Sequence, residues 1–206
     1  MTLHADALAS LRGWPAPSAA QEALRQRYLA HLEAHPDGLR RECRPDHLTA
    51  STLVLSAGLD RVLLTLHAKA RRWFQLGGHC EPGDATLAGA ALREAVEEGG
   101  LADLRLDPVP VQLSEHAVPF CGPDLPGGPV HHLDVRFLAL ARPDAAPAVS
   151  EESLDVAWWP VDALPDPGPD LVELVELAVS RAQASSTPGS ASNGASSWAA
   201  ADQPSR

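Results

Sequence analysis

Lysine is nearly missing from this 206-residue chain: Lys69 stands alone among 16 basic residues, and the others are arginines. Set against 27 acidic residues, this leaves a formal charge of −11, which repels the backbone of a bare nucleic acid and an anionic membrane surface at long range. Neither a nucleic acid polymer nor a membrane is therefore expected as a partner. A polyanionic small molecule would need metal cations or a local group of arginines to settle here. Aromatic residues are scarce at 4%, whereas prolines number 19, a balance that points to abundant loops and unstructured ends. There are only three cysteines, Cys43, Cys80 and Cys121, an odd number at wide spacing that makes no disulfide framework and suits a reducing cytoplasm. No apolar run approaches the roughly 18 residues that a membrane-crossing helix needs. The start MTLHADALASLRGW lacks the basic head and apolar core of a signal peptide, so a cytoplasmic protein is expected. No internal repeat occurs. Neither GxxxxGK[ST] nor GxGxxG occurs either, so a P-loop and a Rossmann dinucleotide site are not indicated.

The length suits one packed domain with extensions. SAAQEALRQRYLAHLEAH, from Ser18, reads as an amphipathic helix, with Ser18 and Gln21 at capping-box spacing and Leu24, Tyr28 and Leu32 on one stripe. Residues 1–45 are expected to form an N-terminal helical extension, which could cap the domain or join a dimer. Apolar runs at 48–56 and 61–67, parted by AGLD, predict a β-hairpin, and Trp73 to Leu76 a further short strand. After the turn-rich LGGHCEPGD a helix is expected from about Thr86 to Gly99, with Asp84 or Thr86 as its cap. DLRLDPVPVQLSEHAV, VHHLDVRFLALA and LDVAWW read as strands, and residues 170–181 as a last helix. The order of elements is that of an α/β domain over residues 46–182. Beyond it, residues 183–206, rich in Ala, Ser and Pro, read as a disordered tail.

The segment ALREAVEEGG concentrates the chemistry. At 100° per residue, Glu94, Glu97 and Glu98 project within an arc of about 100°, while Leu87, Ala88, Ala91, Leu92, Ala95 and Val96 fill the adjoining sector. Like charges at this spacing repel, so something must compensate them. A solvated acidic face is the plain explanation of a charge run. Here, however, a glycine-rich loop precedes the helix and Gly99-Gly100 follows it, and clustered hard oxygen ligands suit Mg²⁺, with Mn²⁺ able to substitute.

From Gly78 to Leu101 the chain reads GHCEPGDATLAGAALREAVEEGGL, which resembles the signature box of the Nudix hydrolases at Arg93, Glu94, Glu97, Glu98, Gly100 and Leu101. The resemblance implies a loop-helix-loop metal site in an α/β/α sandwich with a mixed sheet. It also implies a metal-dependent pyrophosphohydrolase that cleaves the diphosphate linkage of a small nucleotide derivative, a nucleoside diphosphate joined to another group, and works as a monomer or homodimer. Two departures stand out: Asp84 replaces the usual glutamate, with eight residues rather than seven between it and Arg93, and Gly99 stands where threonine is common. They leave the glutamate triad intact and put the role of Asp84 in question.

On this reading Glu94, Glu97 and Glu98 are the metal ligands, joined by the carbonyl of Gly78, where glycine permits close backbone approach. Glu97 and Glu98 are also the catalytic candidates, and Arg93 pairs with a carboxylate and orients it. A general base within reach of the attacking water could lie in this cluster, or in Glu151 or Glu152, which resemble the later-loop glutamate that some family members recruit; Glu115 is a competing candidate. His79, Cys80, His116, Cys121, His131 and His132 invite a zinc reading, yet no CxxC or HxxxH spacing links them, so zinc is not expected. His131 and His132 start a strand, where edge or packing roles are usual and a substrate-phosphate contact is the alternative. Trp158 and Trp159 alternate across a strand, so one should pack inside and the other is free to stack on a base. No substrate-binding residue follows from the sequence. Two other functions are weighed: a non-catalytic Nudix-like domain that binds a nucleotide and regulates a partner, which would not need three repelling carboxylates, and an acidic interaction module.

Overall fold

Strands expose alternate residues on opposite faces, and in the computed structural model both faces of one mixed sheet are covered. The structure describes residues 1–119, 121, 129–149, 153–186 and 199–200. Strand β1 (Asp46–Leu55) lies at the centre. Its Leu48, Ala50 and Val54 enter one buried cluster and its Leu53 and Leu55 another. The first cluster is closed by helices α1 (Leu3–Gly13), α2 (Ala19–Ala34) and α3 (Leu87–Gly99), the second by α4 (Pro169–Ser186). This is the α/β/α sandwich that the sequence led us to expect.

The predicted hairpin is present: β1 and β2 (Arg61–His67) pair antiparallel at Val54↔Leu63 and Leu55↔Val62. β6 (His131–Leu140) runs parallel to β1 along its whole length, from Asp46↔His131 to Leu55↔Leu140, and pairs antiparallel with β5 (Arg105–Ala117) on its other side. The β5–β6 register shifts between Asp107 and Gln112, where Pro108 and Pro110 lack the N–H that a regular ladder requires. β7 (Ser153–Pro160) and β3 (Trp73–Phe74) flank β2, and β8 (Ala199–Ala200) meets β5 at Arg105 and Leu106.

Four features differ from expectation. The chain forms α1, capped by the Thr2 hydroxyl accepting from Ala5 N–H, ahead of the anticipated helix. In α2, Ser18 Oγ accepts from Gln21 N–H as predicted, but the Gln21 side chain turns to Leu113 instead of completing the box. α4 runs on to Ser186. The glycines read as a turn after Leu76 form β4 (Leu76–His79), paired with β1 from Thr49↔His79 to Thr52↔Leu76. Gly77 makes that pairing possible, since a Cβ there would lie 2.3 Å from Ser51 Cβ. Both neighbouring tryptophans pack: Trp158 against the first cluster and Trp159 against the second. Among the described residues no helix is long and apolar enough to cross a membrane.

Candidate active site

α3 begins where Thr86 Oγ1 accepts from Gly89 N–H and Asp6 Oδ2, reaching over from α1, accepts from Leu87 N–H at 2.8 Å. A carboxylate beside the first free N–H groups of a helix satisfies one of them and complements the helix dipole. The helix ends on Gly100, whose φ of 66° lets its N–H return to Val96 O. Gly99, in the position where threonine is common, is buried against Leu76 and Leu63, so the small residue permits close packing of helix on sheet.

Between these ends the acidic turn is compensated from two directions. Arg93 Nη1 lies 3.1 Å from Glu94 Oε1 and 2.9 Å from Glu97 Oε2, bridging the two carboxylates. Glu98 Oε2 accepts from the backbone N–H of Gly77 at 2.8 Å. Glu94 faces Gly78 so closely that a Cβ there would stand 2.8 Å from each carboxylate oxygen. Glu94 and Glu98 thus lie against the Gly77–Gly78 stretch of β4, while the more exposed Glu97 is tied to Glu94 through Arg93.

Asp84 is not the helix cap. It takes both Arg93 Nε (3.1 Å) and Nη2 (3.0 Å), and its Oδ2 also accepts from Glu81 N–H. Arg93 Nη2 further donates to the carbonyl of His79 at 3.0 Å. The hydrogen bonds that Arg93 donates to Asp84, with the charge of Glu94, outweigh partial burial and raise the Arg93 pKa, so the guanidinium is a permanent cation. The one-residue-longer loop therefore retains an acidic partner for Arg93, and the arginine contacts carboxylates as anticipated.

The remaining predicted residues lie elsewhere. Glu115 is engaged by Arg27 of α2, with Nη2 to Oε1 at 2.8 Å. His131 Nδ1 faces Asp46 Oδ1 at 3.2 Å. Glu151 and Glu152 lie outside the described residues. On the sheet face away from α3, His79 and His132 converge with Cys121 and with His47, a residue that the sequence reading passed over. Burial, with the neighbouring histidines, pulls the pKa of His79 down to about 4 and that of His132 to about 3; burial also lowers His47. His47 joins the group through the parallel register His47↔His132, which exists only once the strands are paired.

A central mixed sheet between helical layers, with a carboxylate-bearing helix packed beside β4, defines an α/β/α sandwich with an acidic loop-helix-loop. The NUDIX domain family matches residues 45–177, and the chain belongs to that family, a hydrolase of pyrophosphate bonds. A NUDIX-family hydrolase from Clostridium perfringens is 25% identical, with a TM-score of 0.50 over 64% of this chain and 95% of that one. The E. coli dihydroneopterin triphosphate pyrophosphohydrolase shares the fold at 17% identity, with a TM-score of 0.51 over 66% of this chain and 97% of its own. No match is found among the curated proteins.

Proposed function

We propose that the chain is a cytoplasmic, metal-dependent pyrophosphohydrolase that cleaves the diphosphate linkage of a small nucleotide derivative. The observation that carries this reading is the seating of Glu94 and Glu98 against Gly77–Gly78, with Arg93 joining Glu94 to Glu97. The donor set is all hard oxygen and fits Mg²⁺, with Mn²⁺ as a substitute; Glu94, Glu97, Glu98 and the Gly78 carbonyl would hold the ions. When bound, such cations neutralise the phosphoryl oxygens and acidify the attacking water.

The chain's own residues set the geometry. Arg93 spaces Glu94 and Glu97, and Asp84 fixes the guanidinium plane. Gly77 N–H holds Glu98 toward the strand. Glu97 and Glu98 are the catalytic carboxylates on the helix, and Glu151 and Glu152 are the candidates for general base outside it. Glu115 is the weaker choice, since Arg27 of α2 already engages both of its carboxylate oxygens.

A hydrolysis screen over sugar nucleotides, dinucleoside polyphosphates and nucleoside triphosphates, with Mg²⁺ or Mn²⁺, tests the reading. Turnover that requires the divalent ion and disappears in Glu97→Gln and Glu98→Gln, with the fold unchanged, is the expected result. Undiminished rates in both variants would remove the catalytic assignment. Nucleotide-induced thermal stabilisation without turnover would transfer it to a binding role.

A further inference from the structure

We propose that His47, His79, His132 and Cys121 form a second metal site, separate from the glutamates and selective for zinc. The four donor atoms, three imidazole nitrogens and one sulfur, all lie within 4.8 Å of one another. His79 Nε2 is 3.1 Å from His47 Nε2 and 3.3 Å from Cys121 Sγ; Cys121 Sγ is 3.4 Å from His132 Nε2 and 3.7 Å from His47 Nε2. A tetrahedral zinc with bonds of about 2.0–2.1 Å to nitrogen and about 2.3 Å to sulfur separates its ligand atoms by about 3.3–3.6 Å. Four of the six separations, from 3.1 to 3.7 Å, bracket that spacing, and the other two lie within 4.8 Å.

Hydrogen bonding alone accounts poorly for the arrangement. His47 Nδ1 lies 3.1 Å from the carbonyl of Cys43, an atom that only accepts, so Nδ1 carries the hydrogen. In the neutral ring Nε2 is then a bare lone pair aimed into the cluster. An outer partner that fixes the tautomer in this way is the usual companion of a metal-bound histidine. The thiol has one hydrogen to offer and three ring nitrogens around it. On binding, that hydrogen leaves as a proton to solvent, and the ion sits among a thiolate and three neutral imidazoles with a residual charge of one. The buried carboxylate of Asp134, two residues from His132 along the strand, lies on the same face and is itself paired with Arg136.

Nitrogen and thiolate donors select zinc over magnesium, whereas the glutamates select the reverse. The ligands come from β1, β4, β6 and the segment after β5, so the ion would tie together strands that are distant in sequence. One of them, His79, follows Gly78 directly and presents its carbonyl to Arg93. The zinc site and the acidic site thus share strand β4 while using different atoms.

The test uses the full chain produced without a polyhistidine tag. After exhaustive dialysis, elemental analysis should find one zinc per chain, which excess Mg²⁺ does not displace. Replacement with Co²⁺ should give the intense visible bands of a four-coordinate ion and a thiolate charge-transfer band, the latter lost in Cys121→Ser. His47→Gln and His132→Gln should weaken cobalt binding at least tenfold. The proposal is overturned if the folded wild-type chain holds no zinc and takes up Co²⁺ without those bands, or if Cys121→Ser leaves the charge-transfer band in place. The wild-type spectra decide the matter even where a variant fails to fold. Glu98→Gln keeps the two readings apart: it should abolish turnover and retain zinc, whereas absence of zinc with turnover intact would sink only the second site.

Discussion

Adjacent glycines on β4 face different neighbours, and the difference sets what each contributes. At Gly77 an added Cβ would meet Ser51 Cβ at 2.3 Å, Ser51 Cα at 2.5 Å and the Ala50 carbonyl oxygen at 2.8 Å, largely backbone-fixed atoms. Gly77→Ala should therefore force the β1–β4 pairing apart and destabilise the chain by about 3 kcal/mol, seen as a lower urea midpoint. At Gly78 the obstacle is the end of the Glu94 side chain, which can swing away. Gly78→Ala should leave the urea midpoint nearly unchanged and lower turnover at least tenfold by displacing Glu94. Equal effects of the two substitutions on stability would contradict this division. Arg93 is the matching case among side chains. Lysine cannot grip Asp84 through two nitrogens while reaching Glu94, Glu97 and the His79 carbonyl. Arg93→Lys is expected to raise the Mg²⁺ concentration that half-saturates the reaction, a readout that a merely structural role would not move; an unchanged metal dependence would show that the arginine does not position the carboxylates.

Strand β6 shows how an element can be buried and still carry charge. Leu133, Val135, Phe137 and Ala139 face the first core cluster, and the opposite face holds Asp134 and Arg136, each nearly inaccessible. Asp134 accepts from Thr49, Ser51 and Arg136, and Arg136 also bonds Gln112 and Asp170. Burial pushes the Asp134 carboxyl up, but Arg136 beside it and the Ser51 hydroxyl more than offset this and hold it below its ordinary value. A depressed folded pKa gives stability that is present above the unfolded value of about 3.9 and lost as pH falls through the folded one. Asp134→Ala should cost about 1–3 kcal/mol near neutral pH, because it leaves buried Thr49, Ser51 and Arg136 donors unsatisfied while Arg136 keeps Asp170. Asp134→Asn should flatten the loss of stability below about pH 4; an acid limb identical to wild type would exclude Asp134 as its source. The same strand marks what the sequence made legible. Its alternation, the AGLD hairpin and the i, i+3, i+4 carboxylates are local patterns, and all were readable. Of the histidine–cysteine cluster, His79, Cys121 and His132 were visible as candidate zinc ligands but not as a group, and His47 was not singled out, because positions 47, 79, 121 and 132 acquire a common centre only in the fold. Gly77 likewise reads as a turn former until its neighbour Ser51 is known.

At the scale of the whole molecule, the layer that precedes the family domain shares that domain's core. Ala7, Leu11, Trp14, Tyr28 and Leu32 of the first 45 residues belong to the same buried cluster as Leu48, Leu87 and Leu133. Their contact with the sheet is polar as well. Trp14 Nε1 donates to Pro110 O at 2.6 Å, and the buried Gln21 amide donates to Leu113 O at 3.0 Å while accepting from Leu113 N–H at 2.7 Å. An exposed sheet edge is a liability that proteins cover, and here two side chains of the helical layer occupy part of the β5 edge. Gln21→Ala should therefore leave a buried donor and acceptor unsatisfied and cost about 1–3 kcal/mol, with one cooperative transition preserved, because the helices and the sheet share a core. A chain beginning at Asp46 should lose far more than that, since removing the layer exposes Leu48, Leu87 and Leu133 together; it is expected to aggregate or to lack native circular dichroism. Two separate unfolding transitions in the full chain, or a soluble, active chain from Asp46 onward, would mean that the N-terminal helices rest on the hydrolase domain without supporting it.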